Sequence, residues 1–487
     1  MSELPTALYT PAQVRELDRR AIEDHGTPGE ALMEHAGRAA YRLLRRRWPD
    51  ACRVCVLCGG GNNGGDGYIV ARLAARAGLT VRVVALSDPE RLGGAAAVAM
   101  QRCREVVAIE SWDPRVLDAS DVVVDALLGT GLDRPVEGAY AEAIAAANAL
   151  RAGRLAVDVP SGLSATTGAV LGSAFHADAT VTFIGLKQGL LTADAPEYVG
   201  TLHFDGLDVP DTVYHDLTPA AERVDAVSVG DWLPARTATA HKGHFGHVLV
   251  VGGDHGFGGA VRLAAEAAAR TGAGLVSAAT RERHVAPLIG ARPEVMAHAV
   301  AGADDMTALL ERATVVALGP GLGRAAWSRE LFRTALAFDG PLVVDADGLN
   351  LLAETAPTAR PTWVLTPHPG EAARLLGCDT ATVQADRFAA VAALSDRYGA
   401  AAVLKGAGTL VAAGGQRWVC SGGNAGMASG GMGDVLSGVI AALIAQGLPA
   451  SRAAAMGVAL HADAADRAAT AGRRGLLASD LFAYLPS

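Results

Sequence analysis

The sequence predicts an α/β protein of two domains, on the grounds of its length, its strand pattern and one interruption of that pattern. Its 487 residues exceed what one ordinary hydrophobic core accommodates. Short β-branched runs alternate with Ala-rich helical stretches, as in parallel sheets that helices cover on both faces. Pro, Asp and Thr interrupt this alternation between about residues 205 and 240. We expect a first domain over residues 1–215, a linker region over 216–240 and a second domain over 225–487.

The elements follow from local periodicity. Residues 11–48 have helical spacing of apolar residues. Short apolar runs of the first domain predict strands at 54–57, 81–86, 122–124 and 155–157, with helices at 68–77 and 140–149. In the second domain the same pattern predicts strands at 248–251, 315–318, 342–344, 363–365, 403–404 and 410–412.

The composition is that of a globular protein without a general attraction for polyanions. Half of the residues are hydrophobic, 19% are charged and the formal net charge is −9, which does not favour nucleic acid or anionic membrane. No apolar stretch reaches the roughly 18 residues of a membrane span, and residues 1–5 lack the features of a secretory signal. We expect a cytoplasmic homo-oligomer that acts on small molecules and has neither nucleic-acid nor membrane partners.

Two residue types are informative by their placement. Cys52, Cys55 and Cys58 have a CxxCxxC spacing, but strand alternation separates Cys55 from Cys58 and no second pair follows, so we expect free thiols and no zinc site. Of the 42 Lys and Arg residues only three are Lys, at positions 187, 242 and 405, each near glycine. Because an ammonium and a guanidinium are not interchangeable, these lysines are candidate functional residues.

Residues 59–67 form the first glycine-rich motif, GGGNNGGDG, after a predicted strand. Its opening satisfies GxGxxG, which favours a dinucleotide site, and Asp88 follows about 20 residues later, as a ribose-binding acid would. The additional Asn and Asp side chains favour a different binding loop. Two more strand ends carry an acid before a turn, at Asp125 and Asp158. We expect the three loops to converge, and the oxygen atoms of Asn63, Asp125 and Ser161 suit a hard cation.

The motifs GGGNNGGDG, VDALLGTGL and DVPSGL, in this order, resemble the NAD(P)H-hydrate epimerase family over residues 5–212. The resemblance implies a Rossmann-like three-layer fold and a potassium ion near Asn63, Asp125 and Ser161. It also implies contacts with the hydrated nucleotide from Asp158 and from two segments, which comprise Asn62, Asn63, Gly64, Gly65 and Asp66, and Gly129, Thr130, Gly131, Leu132, Asp133, Arg134 and Pro135.

Epimerisation at C6 requires reversible loss or opening at the carbon that bears the hydroxyl group. A carboxylate that exchanges a proton with this hydroxyl meets the requirement. Asp158 is our first candidate for the catalytic residue, and Lys187 is the second.

The clearest motif of the second half is NAGMASGGMGDVLSG, residues 424–438, which leads into an apolar helix. Glycine NH groups before a helix form an anion-binding site. Asp434 follows them directly, where a base for phosphoryl transfer is needed, although an isolated Asp there would serve the helix dipole equally well. No GxxxxGK[ST] motif occurs.

This arrangement resembles the ribokinase-like superfamily and, more specifically, the NAD(P)H-hydrate dehydratase family. The matching motifs are HKGHFGHVLVVGGDHGFGGA, GPGLGR, DADGLN with TPHPGE, and KGAGT with the motif that ends in Asp434. The resemblance implies hydrate contacts from Ala260, Gly323, His368 and Asp434. The implied nucleotide contacts are Lys405, Gly406, Ala407, Gly408, Thr409 and Gly433. His368 has a second interpretation, in which it only braces its turn.

The resemblance implies that Asp434 deprotonates the C6 hydroxyl, which attacks the terminal phosphate of ADP or ATP in the presence of Mg²⁺. Loss of phosphate then restores the dihydronicotinamide. Three alternatives stay open at this point: a nicotinamide oxidoreductase, a small-molecule kinase of the ribokinase type, and a first domain that only binds a nucleotide or lipoprotein. The sequence does not decide between ADP and ATP, or between NADH and NADPH hydrates.

Overall fold

The computed structural model describes residues 4–355 and 360–485. Residues 1–3, on which part of the signal-peptide expectation falls, lie outside this range. The predicted start of the first domain and the predicted end of the second domain therefore also lie outside it. The chain divides into two compact units, Met1–Glu222 and Arg223–Ser487. The division falls inside the segment that we predict as a linker. In the described part of the chain, no helix is long and apolar enough to cross a membrane.

The first unit is a parallel sheet between helices. Its elements are β1 (Ala7–Tyr9), α1 (Pro11–Arg19), α2 (Gly29–Arg47), β2 (Arg53–Cys58), α3 (Asn62–Arg76), β3 (Thr80–Ala85), α4 (Gly94–Arg104), β4 (Ile109–Ser111), β5 (Val122–Ala126), α5 (Gly138–Ala149), β6 (Gly153–Val157), β7 (Ala179–Phe183), β8 (Leu186–Lys187), α6 (Ala195–Tyr198), β9 (Thr201–Asp205) and β10 (Ala221–Val224).

The strand order of this sheet is β4-β3-β2-β5-β6-β7-β9, and all neighbours are parallel. β1 pairs with β8 in parallel and with β10 in antiparallel orientation. The apolar core on one face includes α2, α3 and α4, and the core on the other face includes α5. These are three layers, so the fold prediction is confirmed. Cys55 and Cys58 lie in different cores, as strand alternation predicts.

The predicted helical region 11–48 consists of two helices rather than one. α1 continues into a short π-helical turn, Arg20–Asp24, and the chain turns at Gly26 before α2. Gly26 has a φ angle of +71°, in the left-handed region that ends helices.

The second unit repeats the architecture with a longer sheet. Its elements are β11 (His247–Val251), α7 (Gly258–Arg270), β12 (Leu275–Thr280), α8 (Glu282–Ala291), β13 (Met296–Ala299), α9 (Ala303–Leu310), β14 (Val315–Leu318), α10 (Ala326–Leu336), β15 (Leu342–Val344), α11 (Ala346–Leu352), β16 (Val364–Leu365), α12 (Pro369–Leu376), α13 (Thr380–Ala385), α14 (Arg387–Tyr398), β17 (Ala401–Leu404), β18 (Thr409–Ala413), β19 (Gln416–Cys420), α15 (Met432–Ala445) and α16 (Ala450–Ala468).

Seven parallel strands in the order β13-β12-β11-β14-β15-β16-β17 are extended by the antiparallel strands β18 and β19. The apolar α15 packs between α7 and α16 in the main core. Its first turn carries Asp434, so the core fixes the position of the predicted base.

Candidate functional sites

The three predicted loops of the first unit meet at one edge of its sheet. They follow β2, β5 and β6, which are consecutive in strand order, so their carboxyl ends lie side by side. A Cβ atom on Gly129 would lie 3.3 Å from Cβ of Asn63 and 3.8 Å from Oδ2 of Asp158. The predicted convergence is confirmed.

The segment 59–67 is only partly a loop, which corrects our expectation. α3 begins at Asn62, so only Gly59, Gly60 and Gly61 precede the helix. A Cβ atom on Gly64 would lie 2.1 Å from the carbonyl oxygen of Gly59. The glycines are therefore needed for the close approach of a helix N-terminus to the preceding turn, an arrangement whose NH groups suit an anionic ligand.

Asp158 and Lys187 form an ion pair at this edge. Lys187, 1% exposed, donates hydrogen bonds to Oδ1 of Asp158, to Oγ1 of Thr182 (3.1 Å) and to the carbonyl oxygen of Phe183 (3.0 Å). Thr182 also donates to Oδ1 of Asp158, at 3.2 Å. Asp158 has a φ angle of +64°, a backbone strain that is common at functional sites. Our two candidates for the epimerase chemistry are thus in direct contact.

Two further carboxyl groups belong to this cluster. Burial, and next the charge of Asp158, raise the pKa of Asp66 well above its usual value. In the described part of the chain no group donates a hydrogen bond to its side chain. Burial also raises the pKa of Asp18 on α1 to about 6, although Lys187 acts in the opposite direction. Three carboxyl groups thus lie around one ammonium group, and burial favours the protonated form of Asp66, which can donate a hydrogen bond.

The residues predicted to hold potassium offer buried oxygen atoms. Asp125 is fully buried and accepts hydrogen bonds from the Ser161 backbone NH (2.7 Å) and hydroxyl (2.6 Å). Burial raises its pKa to about 6 despite these bonds. Both polar side-chain atoms of Asn63 are buried without a hydrogen-bond partner. An amide left unpaired in this way is unfavourable unless a ligand engages it, so the residues fit a cation with oxygen ligands.

The remainder of the predicted substrate segment is more open. Gly129, Thr130 and Leu132 are half-buried, whereas four residues are exposed to solvent, namely Gly131, Asp133, Arg134 and Pro135.

Asp88 follows β3, where a ribose-binding acid of an oxidoreductase would lie. Its Oδ1 instead accepts a hydrogen bond from the NH of Glu90 at 3.1 Å and caps the short helix Pro89–Arg91. Capping accounts for this residue.

In the second unit, Asp345 and Lys405 form the buried centre of the site. Lys405 donates to Oδ1 of Asp345 at 2.7 Å, and the Ser437 hydroxyl donates to Oδ2 at 2.8 Å. Burial raises the pKa of Asp345, but Lys405 and Ser437 outweigh this effect and hold it below its usual value. Burial likewise lowers the pKa of Lys405, and the charges of Asp345 and Glu371 outweigh it and hold the pKa above its usual value. The pair is therefore charged.

Asp434 lies in the first turn of α15, beside this pair. A Cβ atom on Gly433 would lie 3.1 Å from Nζ of Lys405 and 3.4 Å from Oδ2 of Asp345. Burial, and next the charge of Asp345, raise the pKa of Asp434 to about 7. In the described residues no donor is hydrogen-bonded to its carboxylate. A half-buried carboxyl group with a pKa near neutrality suits a general base.

His368 and Glu371 close one side of the site. Nδ1 of His368 accepts hydrogen bonds from the NH groups of Gly370 (3.0 Å) and Glu371 (3.4 Å) at the start of α12. In return, Glu371 accepts a hydrogen bond from the NH of His368 at 2.8 Å. Burial raises the pKa of Glu371 to about 7. His368 therefore braces its turn, while Nε2 lies 3.4 Å from Oε1 of Glu371.

Ala260 and Gly323 lie on a second wall. A Cβ atom on Gly321 would lie 3.1 Å from Cβ of Ala260, and one on Gly323 would lie 3.0 Å from Oδ2 of Asp254. The NH of Gly323 donates to Asp347 at 2.9 Å. Asp254 is held by Arg281, whose Nε donates to Oδ1 at 2.8 Å. Oδ2 of Asp254 is directed toward Gly323, one of the predicted hydrate contacts.

The segment 405–409 connects β17 to β18 over a buried guanidinium group. Arg387 is 1% exposed and donates to the carbonyl oxygens of Leu404 (3.2 Å) and Lys405 (3.3 Å). Burial lowers its pKa to about 10. A Cβ atom on Gly406 would lie 3.0 Å from Nη1 of Arg387. This contact and a φ angle of +137° explain the glycine.

Sequence reasoning did not single out several residues of these sites, among them Asp345, Glu371, Asp18 and Arg387. Asp345 and Glu371 lie within motifs that the resemblance used, so their position after a strand was an available signal. Asp18 and Arg387 lie in ordinary helical sequence without a motif. No group of three or more His, Cys, Asp or Glu side chains in residues 4–355 and 360–485 has a geometry suited to a metal ion.

Two family models match the chain, one in each unit. The model described as the YjeF-related protein N-terminus matches residues 29–189. The model described as NAD(P)H-hydrate dehydratase matches residues 248–487. In the second unit the chain is also similar to a crystal structure of a ribokinase-like superfamily protein from Enterococcus faecalis V583, with 29% identity and a TM-score of 0.51. The match covers 54% of this chain and 93% of the other.

Full-length relatives carry both units. The bifunctional NAD(P)H-hydrate repair enzyme of Coxiella burnetii is 50% identical, and the match covers 99% of each chain. The enzyme of the same name from Escherichia coli K12 is 46% identical, over 99% of this chain and 94% of its own length. The chain belongs to the family of bifunctional NAD(P)H-hydrate repair enzymes.

Proposed function

We propose that the chain repairs NADH and NADPH that have been hydrated at C6. The first unit interconverts the R and S hydrates, and the second dehydrates the S hydrate at the expense of ADP or ATP. The observation that carries this proposal is the position of Asp434, unpaired among the described residues, at the helix start beside the charged Asp345–Lys405 pair. The full-length similarity to repair enzymes supports both activities.

In the proposed dehydration, Asp434 takes the proton of the C6 hydroxyl as the hydroxyl oxygen attacks the terminal phosphate of the nucleotide. The bond from this phosphate to the rest of the nucleotide breaks, which releases AMP from ADP or ADP from ATP. Lys405 would face the anionic phosphoryl group, and the NH of Gly433, in the first turn of α15, would donate to the same group. The C6–O bond then breaks, the leaving phosphate takes a proton from C5, and the electron pair of that C5–H bond forms the C5–C6 double bond. Phosphorylation converts a poor leaving group into a good one, which explains the need for a nucleotide.

The other predicted contact residues would bind the nucleotide and the hydrate. Lys405, Gly406, Ala407, Gly408, Thr409 and Gly433 would hold the nucleotide, and Ala260, Gly323, His368 and Asp434 the hydrate. Magnesium usually binds through substrate phosphates, one or two carboxylates and several waters. We therefore treat it as part of the nucleotide co-substrate.

In the proposed epimerisation, Asp158 takes the proton of the C6 hydroxyl, a C6=O double bond forms and the C6–N1 bond breaks. Its electron pair goes to N1, which is conjugated through C2=C3 with the carboxamide. N1 then attacks the other face of C6, and Asp158 returns the proton to the oxygen. Lys187 donates to the same carboxylate and fixes its position. Asp66, whose protonated form burial favours, would donate a hydrogen bond to a polar group of the substrate. The residues Asn62 to Asp66 and Gly129 to Pro135 would surround the nucleotide.

Asn63, Asp125 and Ser161 would hold potassium through oxygen atoms. The bound ion supplies a fixed positive charge near an anionic substrate. Asn63 connects this site to the predicted substrate segment 129–135, because a Cβ atom on Gly129 would lie 3.3 Å from Cβ of Asn63.

We further propose that the protein is a homo-oligomer of the cytoplasm. All six cysteines are free thiols, as in a reducing compartment. Light scattering of the purified chain measures its molar mass and therefore the number of subunits.

The decisive experiment incubates a mixture of R and S hydrates with ADP or ATP and follows the absorbance of reduced nicotinamide. We expect complete conversion of both hydrates, one nucleotide consumed per molecule repaired, and no phosphorylated product that accumulates. An accumulating phosphate ester would indicate a kinase instead. Conversion without nucleotide would contradict the assigned chemistry of Asp434.

A further inference from the structure

A cavity of about 540 Å³ lies between the start of α7 and the helix α8. Its lining contains Arg262, Arg283 and His284 and no acidic residue, although the chain as a whole has a net charge of −9. The volume is in the range of ordinary ligand sites. The cavity is thus a local positive site on an acidic protein.

The two arginines differ in how they are held. Arg283 is exposed, and in the described part of the chain its guanidinium group has no ion-pair or hydrogen-bond partner. Arg262 lies one turn after the start of α7, and its Nη2 is 3.8 Å from the buried Glu266. That carboxylate has closer partners in Arg270 and Arg292, so it only partly neutralises Arg262. Both arginines keep donors for an anion.

The cavity adjoins the wall predicted to contact the hydrate. The ring of His284 connects them, since Nε2 lies 3.2 Å from the carbonyl oxygen of Asp254. On its other side, a Cβ atom on Gly258 would lie 2.5 Å from Nδ1 of the same ring. Asp254 is next to Gly323, since a Cβ atom on Gly323 would lie 3.0 Å from Oδ2 of Asp254. A substrate whose reacting ring lies at Gly323 and Asp434 can therefore continue into the cavity.

An exposed aromatic ring lies at the same place. Phe257 is 58% exposed, and a Cβ atom on Gly321 would lie 2.7 Å from its Cβ. It lies between the cavity residues Gly256 and Gly258 in sequence, and the same Cβ atom on Gly321 would lie 3.1 Å from Cβ of Ala260. An aromatic face at this position suits contact with a sugar or base of a nucleotide.

We propose that this cavity binds the diphosphate of the dinucleotide hydrate, with Arg262 and Arg283 facing its two phosphates. The assignment rests on the proposed dehydration and adds the part of the substrate remote from the reacting ring. Guanidinium groups match phosphate geometry, and the uncapped NH groups at the start of α7 add to their effect. The diphosphate is common to NADH and NADPH hydrates, so the subsite serves both.

The test compares Arg262→Ala, Arg283→Ala and the double variant with the unaltered chain. We expect the double variant to raise KM for both the NADH and the NADPH hydrate about tenfold or more, because two charge-assisted contacts are lost. kcat and KM for ADP or ATP should stay within about twofold, since the variants leave the reacting groups in place. The double Arg→Lys variant keeps both charges and should recover part of the loss.

Arg333→Ala is the matched control, because it removes the same charge from an exposed position of α10 in the same unit. An unchanged KM for both hydrates in the double variant would overturn the proposal, as would an equal rise in the KM of the nucleotide. A rise for the NADPH hydrate alone would also overturn it, since the cavity would then hold the additional phosphate of NADPH. Failure of the unaltered chain to dehydrate either hydrate would instead refute the proposed function.

Discussion

Asp434 is the residue on whose ionisation the proposed dehydration depends. Burial and the neighbouring Asp345 raise its pKa to about 7, and only the ionised carboxylate accepts a proton. We expect kcat for dehydration to rise between about pH 6 and 8, with only about a tenth of the carboxyl groups ionised at pH 6. A pH profile at saturating hydrate and nucleotide measures this.

Glu371 provides the control for this profile, because burial raises its pKa to about 7 as well. In Glu371→Gln the rise with pH should persist, since Asp434 still titrates. If the variant became independent of pH, the ionisation would belong to Glu371, and the role assigned to Asp434 would be wrong.

At the residue scale, the sequence predicted the functional groups that stand out chemically. The rarity of Lys pointed to Lys187, Lys242 and Lys405. The structure pairs Lys187 and Lys405 with an aspartate, whereas Lys242 is exposed. Asp18 could not be predicted in this way. It lies on a helix with other charged residues, and its pKa rises only because folding buries it, in the neighbourhood of Lys187 and Asp158.

At the scale of single elements, the start of α3 depends on its glycines. Gly64→Ala places a Cβ atom 2.1 Å from the carbonyl oxygen of Gly59, so either the helix or the preceding turn must move. We expect a loss of about 2 kcal/mol or more in the free energy of unfolding, together with most of the epimerase activity. Chemical denaturation and an epimerisation assay measure the two effects.

Gly61→Ala is the control for Gly64→Ala, because it makes the same substitution at the start of α3. Nothing lies within 4 Å of a Cβ atom at this position, and its φ angle of −129° suits any residue. The expected cost is below about 1 kcal/mol, mainly from the change at the N-cap. Equal effects of the two substitutions would show that close approach is not the reason for Gly64.

Arg387 supports the segment 405–409 from below. Arg387→Ala removes hydrogen bonds to the carbonyl oxygens of Leu404 and Lys405 and leaves a cavity. We expect a loss of about 3 kcal/mol in the free energy of unfolding and a raised KM for ADP or ATP. Arg333→Ala, which changes the same charge at an exposed site, should alter neither. An unchanged KM for ADP or ATP in Arg387→Ala would contradict the inference that Arg387 supports the nucleotide-binding segment 405–409.

The strands were predictable because buried parallel strands are apolar on both faces, as in β5 and β14. The first turn of α3 was not. Gly and Asn are poor helix formers, so local propensity predicts a loop over residues 59–67. Packing against the preceding turn, which depends on distant parts of the chain, determines where the helix begins.

At the scale of the whole molecule, the two units are separate compact bodies with their own cores. Asp158→Ala should abolish epimerisation alone, and Asp434→Asn dehydration alone. We expect a mixture of the two variants to convert both hydrates, because each supplies the activity that the other lacks. The recovery of reduced nicotinamide over time measures this.

Each variant alone serves as the control for the mixture. Asp158→Ala should convert the S hydrate and leave the R hydrate to slow spontaneous epimerisation. If Asp434→Asn stopped both reactions, or if the mixture recovered neither, the two units would not be independent catalysts.

The three lysines have a practical consequence for experiments on the intact protein. Lys187 is buried and Lys405 is held in an ion pair, whereas Lys242 is exposed. Amine-directed reagents therefore meet one accessible side chain in the native state. A fluorophore or an isotope-labelled methyl group on Lys242 would therefore mark one defined lysine while Lys187 and Lys405 stay unmodified.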